Sequence, residues 1–400
     1  VLLTFVSNYF KSYQGLPMPA WKRVILSFIN TSAIGIFFYL SIYFSSVLHF
    51  GFETTGLLIS AYGVGTAIGG ITSGKLCDRY SIRGISLISL LLVTLNFVCL
   101  SLLKDPLLLG LNVFFLGLSN YGFKTSNQLW VLKYCDNQPN ARLTALNILY
   151  AASNLGIGTS GFIVALLSHV GFTTIFKLCA IFSLVSFIFL ALQPAITLPV
   201  RAELSEEEQA RKRNLLLAWV VLSGLFFMGL IISFRTTVYL IYAHHTMPDA
   251  SLAKISWLFT LNPVMVVLFQ VPLIHRLQNM NKLLMLSTGA FLMGLGGLGV
   301  ALDSHYSTAL LMAAIYTMGE MLFMTPAQLL IYEAGCETKK GQAMGLYQSV
   351  YATSVIVGPS LAGFLYEQVG PKSPWELSGI LGLIVIAGCF FYSLYQRRNS

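Results

Sequence analysis

Three charged side chains stand inside long apolar stretches: Lys124 within 106–132, Arg235 within 214–243 and Glu320 within 306–332. An ionised group at the centre of a bilayer costs at least about 2.5 kcal/mol on insertion scales, so each needs a use or a partner. Glu320 is the one carboxylate well inside such a stretch. Burial opposes its ionisation and a nearby cation favours it, and that balance suits a group that takes up and releases a proton. Lys124 shares a helix face with Asn120, Asn127 and Gln128, at i−4, i+3 and i+4, a combination suited to an anionic or hydroxyl-rich ligand. Arg235 shares its side with Tyr239 and Tyr242, and Glu320 with Tyr316 and Gln328. Asn30, and Gln348 with Tyr347 and Tyr351, are further polar positions in apolar surroundings. The competing readings are fixed ion pairs for the charges and interhelical hydrogen bonds for the amides.

Other chemistries lack their parts. The six cysteines, Cys77, Cys99, Cys135, Cys179, Cys336 and Cys389, have no metal-site or disulfide spacing, and no metal or organic cofactor is expected. Gly158-Thr159-Ser160-Gly161 fits an intramembrane serine protease motif, but the six histidines lie at or near stretch ends and offer that serine no base. Gly294, Gly296 and Gly299 spell G-x-G-x-x-G inside an apolar stretch with no strand before it, so dinucleotide binding is not supported, and neither an HExxH nor a Walker motif occurs. The chain is not expected to be an enzyme.

The elements that must position these residues are membrane helices. The chain carries 24 Lys and Arg and 15 Asp and Glu in 400 residues, 10% charged, where soluble domains carry about 25%. It is 56% hydrophobic, with a mean hydropathy of +0.74. The net charge of +9 is spread over short segments between apolar runs rather than along one stripe, which points to a lipid bilayer and not to nucleic acid. Residues 24–52, 54–74, 84–103, 178–200, 255–275, 283–302, 341–366 and 377–396 contain no Asp, Glu, Lys or Arg, and each is long enough to span. The run 143–176 is too long for one helix and splits at Ser168-His169-Val170-Gly171. With the three singly charged stretches, twelve spans result. A polar linker, 193–213, contains Pro194, Pro199 and Leu-Ser-Glu-Glu-Glu-Gln-Ala-Arg-Lys-Arg, and separates two six-helix halves, 1–192 and 214–400.

Orientation follows from the flanking Lys and Arg. With the N-terminus inside, the inner segments hold 18 of them and the outer segments three, Lys104, Lys254 and Lys372, so both termini are expected in the cytoplasm. The apolar start, Val1 to Val6, is too short for a cleavable signal.

The loop after the second span reads Gly74-Lys75-Leu76-Cys77-Asp78-Arg79-Tyr80-Ser81-Ile82-Arg83. It resembles the signature loop of the major facilitator superfamily, G-x-L-x-D-R-x-G-R-R/K, with Ser81 in place of the second glycine and Ile82 in place of the next basic residue. The corresponding stretch of the second half, His275 to Lys282, is a degenerate copy. Gly319 to Pro326 and Gly358-Pro359-Ser360 resemble bacterial efflux-type, drug/proton antiporter-like members. The fifth-span glycines Gly156, Gly158 and Gly161 lie where antiporters carry G-x-x-x-G-P, without its proline.

The resemblance implies an all-α membrane protein of twelve transmembrane helices whose first, fourth, seventh and tenth line a central cavity. Lys124, Arg235 and Glu320 all fall on that set. It further implies that Gly74, Asp78, Arg79 and Arg83 brace the cytoplasmic side and govern the inward-outward switch. The expected function is secondary active transport of a small organic molecule across the cytoplasmic (inner) membrane by a monomer. Proton-coupled export of a drug-like amphiphile or a siderophore leads. Symport or facilitated uptake of a polar or anionic metabolite is the alternative, and a non-transporting receptor with the same fold is the second.

Overall fold

Apolar runs of about 20 residues bounded by charges can satisfy their backbone in hydrocarbon only as helices. The computed structural model describes residues 9, 11–136, 139–196, 198, 215–247, 252–302 and 305–399, and among them 12 helices are long and apolar enough to cross a membrane, with no strand. They are α1 Met18–Ile34, α2 Phe52–Arg79, α3 Ile82–Leu100, α4 Pro106–Tyr134, α5 Pro139–Leu167, α6 Phe172–Ala191, α7 Leu215–Thr237, α8 Leu252–Leu277, α9 Lys282–Leu302, α10 Tyr306–Ala334, α11 Lys340–Phe364 and α12 Ser373–Asn399. The first span runs on past α1 to Val47 through a 3-10 stretch, Gly35–Tyr39, and a π turn, Tyr43–Val47.

Local chemistry sets the boundaries. Pro106 opens α4, and the Asp105 carboxylate before it accepts from the Leu108 N–H at 3.0 Å. Ser81 caps α3 by accepting from the Gly84 N–H at 3.3 Å, and Asn281 caps α9 by accepting from the Leu283 N–H at 2.8 Å. The run 143–176 breaks where the sequence predicts, at the 3-10 turn Ser168–Val170 and at Gly171, whose φ of 85° suits a residue without a Cβ. The seventh span departs from the single helix expected. It stops in the β-branched run Thr236-Thr237-Val238, and a short helix, Tyr239–Thr246, follows. Most of the linker expected over 193–213, including Pro199 and the charged run, lies outside the described residues.

The described residues fall into two compact units, one of Val1–Ser12, Ser205–Cys336 and Thr353–Ser400, the other of Tyr13–Leu204 and Glu337–Ala352. The boundary therefore lies inside α11. In the unit holding α1–α6, large apolar side chains such as Phe44, Phe97, Leu100 and Phe176 are fully buried together.

Helices in lipid gain little from burying apolar surface against each other, so close backbone approach carries the packing. A Cβ on Gly65 or Gly117 would overlap the carbonyl of Phe114 or of Tyr62, which fixes the α2–α4 crossing. In the other unit Gly289 abuts Gly319, Gly294 abuts Gly382 and Gly296 abuts Tyr316, so the G-x-G-x-x-G run of α9 is a packing face for α10 and α12. On α5 Gly156 abuts Phe28 and Thr31 of α1, whereas Gly158 faces open space. We predict that Gly117→Ala destabilises the protein by about 1–3 kcal/mol through overpacking while Gly158→Ala leaves it unchanged, read as melting temperature of the purified protein in detergent. Equal melting of the two variants would remove the crossing as the cause.

Candidate functional site

The polar face of α4 is dispersed among its neighbours. Asn120 donates to the Tyr62 hydroxyl at 3.0 Å and accepts from Asn30 Nδ2 at 3.2 Å, a buried chain that ties α4 to α2 and α1. Asn127 donates to the Arg23 carbonyl at 3.1 Å, and Gln128 accepts from Gln348 Nε2 of α11 at 2.6 Å. For these amides the interhelical reading holds. Lys124 is different. Its half-buried ammonium lies 5.0 Å from the Tyr121 ring centroid and 5.7 Å from that of Tyr351, and it makes no ion pair among the described residues. Two ring faces attract a cation without neutralising it, which leaves the charge available to a ligand.

Glu320 is buried in α10, and its carboxylate accepts from Asn262 Nδ2 at 2.7 Å. The same amide lies 3.2 Å from the Thr317 hydroxyl, one turn back, and that hydroxyl donates to the Ala313 carbonyl at 2.7 Å. Asn262 immediately precedes Pro263, one of two prolines inside α8. A proline withholds one helical hydrogen bond and loosens the turn before it, so the partner of Glu320 sits at a weak point of its own helix. Further along the same pair of helices, fully buried Gln270 donates to the Met321 carbonyl at 3.2 Å. Gln328, expected beside Glu320, is buried two turns further along α10.

Arg235 is buried near the end of α7. It donates to the Leu258 carbonyl at 2.8 Å, and its guanidinium lies 4.6 Å from the Tyr316 ring centroid. Tyr316 thus lies under Arg235, where spacing on α10 had grouped it with Glu320. Tyr239 joins Arg235 at one small cavity, while Tyr242 donates to the Val300 carbonyl at 3.3 Å and packs edge-on against Trp375. Neither Lys124 nor Arg235 pairs with a carboxylate among the described residues, so the ion-pair reading fails for both cations.

The loop after α2 works through helix ends. Asp78 accepts from the backbone N–H of Gly341 at 2.7 Å and of Gln342 at 2.8 Å, placing a carboxylate on the first turn of α11, where the amides are unpaired and the helix dipole is positive. Arg83 does the converse at the end of α6, donating to the carbonyls of Ala191 at 2.9 Å and Gln193 at 2.6 Å. Gly74 is buried, and a Cβ there would overlap the Gly341 carbonyl, while a Cβ on Gly345 would overlap that of Gly70. Arg79 is exposed.

Several residues escaped the sequence reading. Asn262 and Gln270 were hidden because the stretch 255–275 carries no Asp, Glu, Lys or Arg to draw attention to its polar side. Tyr62 and Tyr121 were lost among 19 tyrosines. Arg23, counted as a flanking charge, is buried with its guanidinium carbon 4.5 Å from the Trp130 ring centroid.

The sequence profile of the Major Facilitator Superfamily matches residues 23–253 and 225–399. Among characterised relatives, the multidrug resistance protein MdtH of Yersinia pestis is 22% identical over 340 residues, 83% of either chain. Similar solved structures include the human organic anion transporter MFSD10 (TETRAN), with TM-score 0.75 and 15% identity over 93% of this chain and 100% of that one. They also include the E. coli fucose:proton symporter FucP, with TM-score 0.74 and 13% identity over 95% and 99%.

Asp78→Asn keeps one acceptor oxygen and removes the charge, with about 0.5–2 kcal/mol of capping at stake. Amide exchange at Gly341 and Gln342 is therefore expected to accelerate by a factor of about 2–30, measured by hydrogen–deuterium exchange with mass spectrometry. Unaltered exchange there would mean that the cap does not hold α11.

Proposed function

This chain belongs to the major facilitator superfamily, a family of multi-pass membrane transporters, and we propose that it exports small amphiphilic organic molecules by alternating access, with Glu320 as the proton carrier. The observation that carries the proposal is the setting of Glu320: a buried carboxylate, the one well inside a span, held by an amide beside a helix-breaking proline. An amide partner can stay with either protonation state of the carboxyl, because its N–H serves the anion and its carbonyl serves the acid. Rearrangement at Pro263 would change how strongly the anion is held and so when the proton leaves. The similarity to MdtH favours multidrug substrates, and that to FucP favours a proton as the coupling ion. The 18-to-3 distribution of Lys and Arg supports cytoplasmic termini in an inner membrane. In the proposed cycle Asp78 alternately holds and frees the start of α11, and the proton gradient supplies the energy.

A second reading is favoured by one specific observation. Lys124 and Arg235 are cations that ring faces and a carbonyl hold without cancelling. Transport of an organic anion would use such charges, and the similarity to MFSD10 agrees with it.

In proteoliposomes with an imposed pH gradient, Glu320→Gln is expected to abolish concentrative transport of a fluorescent lipophilic dye while leaving exchange down the dye's own gradient intact, since glutamine keeps the shape and loses the titration. Full proton-driven accumulation by that variant would remove Glu320 as the carrier. Lys124→Met separates the two substrate readings. If organic anions are carried, it weakens their binding by roughly tenfold, seen as a smaller ligand-induced rise in melting temperature, and leaves neutral amphiphiles unaffected. If amphiphiles alone are carried, no organic anion raises the melting temperature of the wild-type protein.

A further inference from the structure

Helix starts in the two halves repeat at a spacing of 200 residues: α8, α9 and α10 begin at 252, 282 and 306, as α2, α3 and α4 begin at 52, 82 and 106. At that spacing Asn262 corresponds to Tyr62 and Glu320 to Asn120. Each pair is joined, since Asn120 donates to the Tyr62 hydroxyl at 3.0 Å and Asn262 to the Glu320 carboxylate at 2.7 Å. Around this shared joint the two copies differ. Between α2 and α4 the backbones touch, because a Cβ on Gly65, Gly69 or Gly117 would overlap the carbonyl of Phe114, Leu118 or Tyr62. The corresponding positions hold Met265, Phe269 and Thr317, so the glycines of that contact are replaced in α8 and α10. Side chains make the second joint instead. Asn262 reaches both Thr317 and Glu320, and eight residues on, about 12 Å along the helix, fully buried Gln270 donates to the Met321 carbonyl at 3.2 Å and lies 3.4 Å from the Thr325 hydroxyl.

A backbone-to-backbone contact leaves no room for water, whereas amides and hydroxyls that meet across a seam can exchange one another for water without leaving a polar group unpaired. α8 is also the helix of this pair that can bend. Pro263 and Pro272 bracket its segment 264–271, which carries Gln270, and each withholds a helical hydrogen bond, whereas the corresponding positions in α2 are Gly63 and Thr72. Past Gln270 the seam runs toward the C-terminal ends of α8 and α10. There Glu333 of α10 pairs with Lys282 at 2.8 Å with its side chain 30% exposed, which marks the wet end. We propose that the seam between α8 and α10 is the path by which a proton reaches Glu320 from that end, and that the 264–271 segment of α8 is the wall that moves to admit water. The path rests on the reading of Glu320 as the proton carrier and adds its route. It is shut in this structure, where Gln270 is 0% and Thr325 1% exposed. α2 and α4, joined backbone to backbone, move as one body.

The test compares Thr325→Cys with Thr125→Cys, its counterpart 200 residues earlier and fully buried in α4, each in the full chain in proteoliposomes. Both are treated with 2-aminoethyl methanethiosulfonate, a small water-soluble thiol reagent, and labelling is read residue by residue by mass spectrometry, so the native cysteines do not interfere. Position 325 is expected to label at least about tenfold faster than position 125, because only its seam opens to water. Adding Glu320→Gln removes the charge that strengthens the Asn262 hydrogen bond, and should accelerate labelling at 325 several-fold while leaving 125 unchanged. Equal rates at the two positions, or a rate at 325 that ignores Glu320→Gln, would overturn the path. Its failure is distinct from failure of the carrier reading. Slow, equal labelling in a protein that still needs Glu320 for proton-driven accumulation overturns the path alone, whereas full accumulation by Glu320→Gln overturns the carrier and with it the destination of the path. Should Thr325→Cys fail to fold, hydrogen–deuterium exchange of the wild-type protein decides: amides of 264–271 exchanging at least about tenfold faster than those of 64–71 support the moving wall, and equal exchange refutes it.

Discussion

Taking a charge out of water is the most expensive demand this chain places on its fold, and the arrangement of its helices is largely the set of answers to it. Beside ion pairs such as Arg142–Asp136, three further kinds of answer occur among the described residues. Asp78 and Arg83 use the ends of helices, where unpaired amides and carbonyls offer partial charges of the needed sign. Arg23, Lys124 and Arg235 lie over aromatic faces. Glu320 takes a side-chain amide. A backbone dipole or a ring face stabilises an ion less completely than an opposite charge does, and the shortfall is what a substrate or a proton can supply. The same chain could have paired its intramembrane cations with carboxylates, but a matched pair has nothing left to offer a ligand.

Much of this was legible in the sequence because hydrocarbon imposes a length. Charge-free intervals of span size could be counted, and Gly171 split the one that was too long. The charges inside spans stood out for the same reason. Partnerships were not legible. Asp78 meets amides 263 and 264 residues further along the chain. Gly70 and Gly74 meet Gly341 and Gly345 as two small-residue repeats with no local sign that they face each other. The polar face of α4 could be drawn from its periodicity, but a helix surrounded by others shares its face among them. Asn120 went to α1 and α2, Asn127 to α1 and Gln128 to α11, and Lys124 was left with the aromatic rings. Arg23 was misjudged because counting flanking charges assumes that they reach water, whereas this one reaches Trp130.

α11 brings these strands together. Its first half packs glycine on glycine against α2 and receives Asp78 on its first turn. Its second half accepts a hydrogen bond from the Ser233 hydroxyl at the Ser354 carbonyl, at 3.3 Å, and sets Gly358 against Ser233. A helix that is alternately held and released needs a fastening specific enough to fix its register and weak enough to open. Breaking a buried ion pair costs about 3–5 kcal/mol, which would bias a two-state element by a factor of roughly 150 to 5,000. A carboxylate on two backbone amides contributes about 0.5–2 kcal/mol, enough to tilt populations and still permit the alternative. The departures from the signature loop fit this economy of contact. Ser81 replaces a glycine and caps α3, and Ile82 replaces a basic residue and is buried at the start of that helix. Neither side chain belongs to the Asp78 or the Arg83 contact. The loop can therefore differ from the family pattern at both positions and keep the two charge-to-helix-end contacts on which the proposed switch depends.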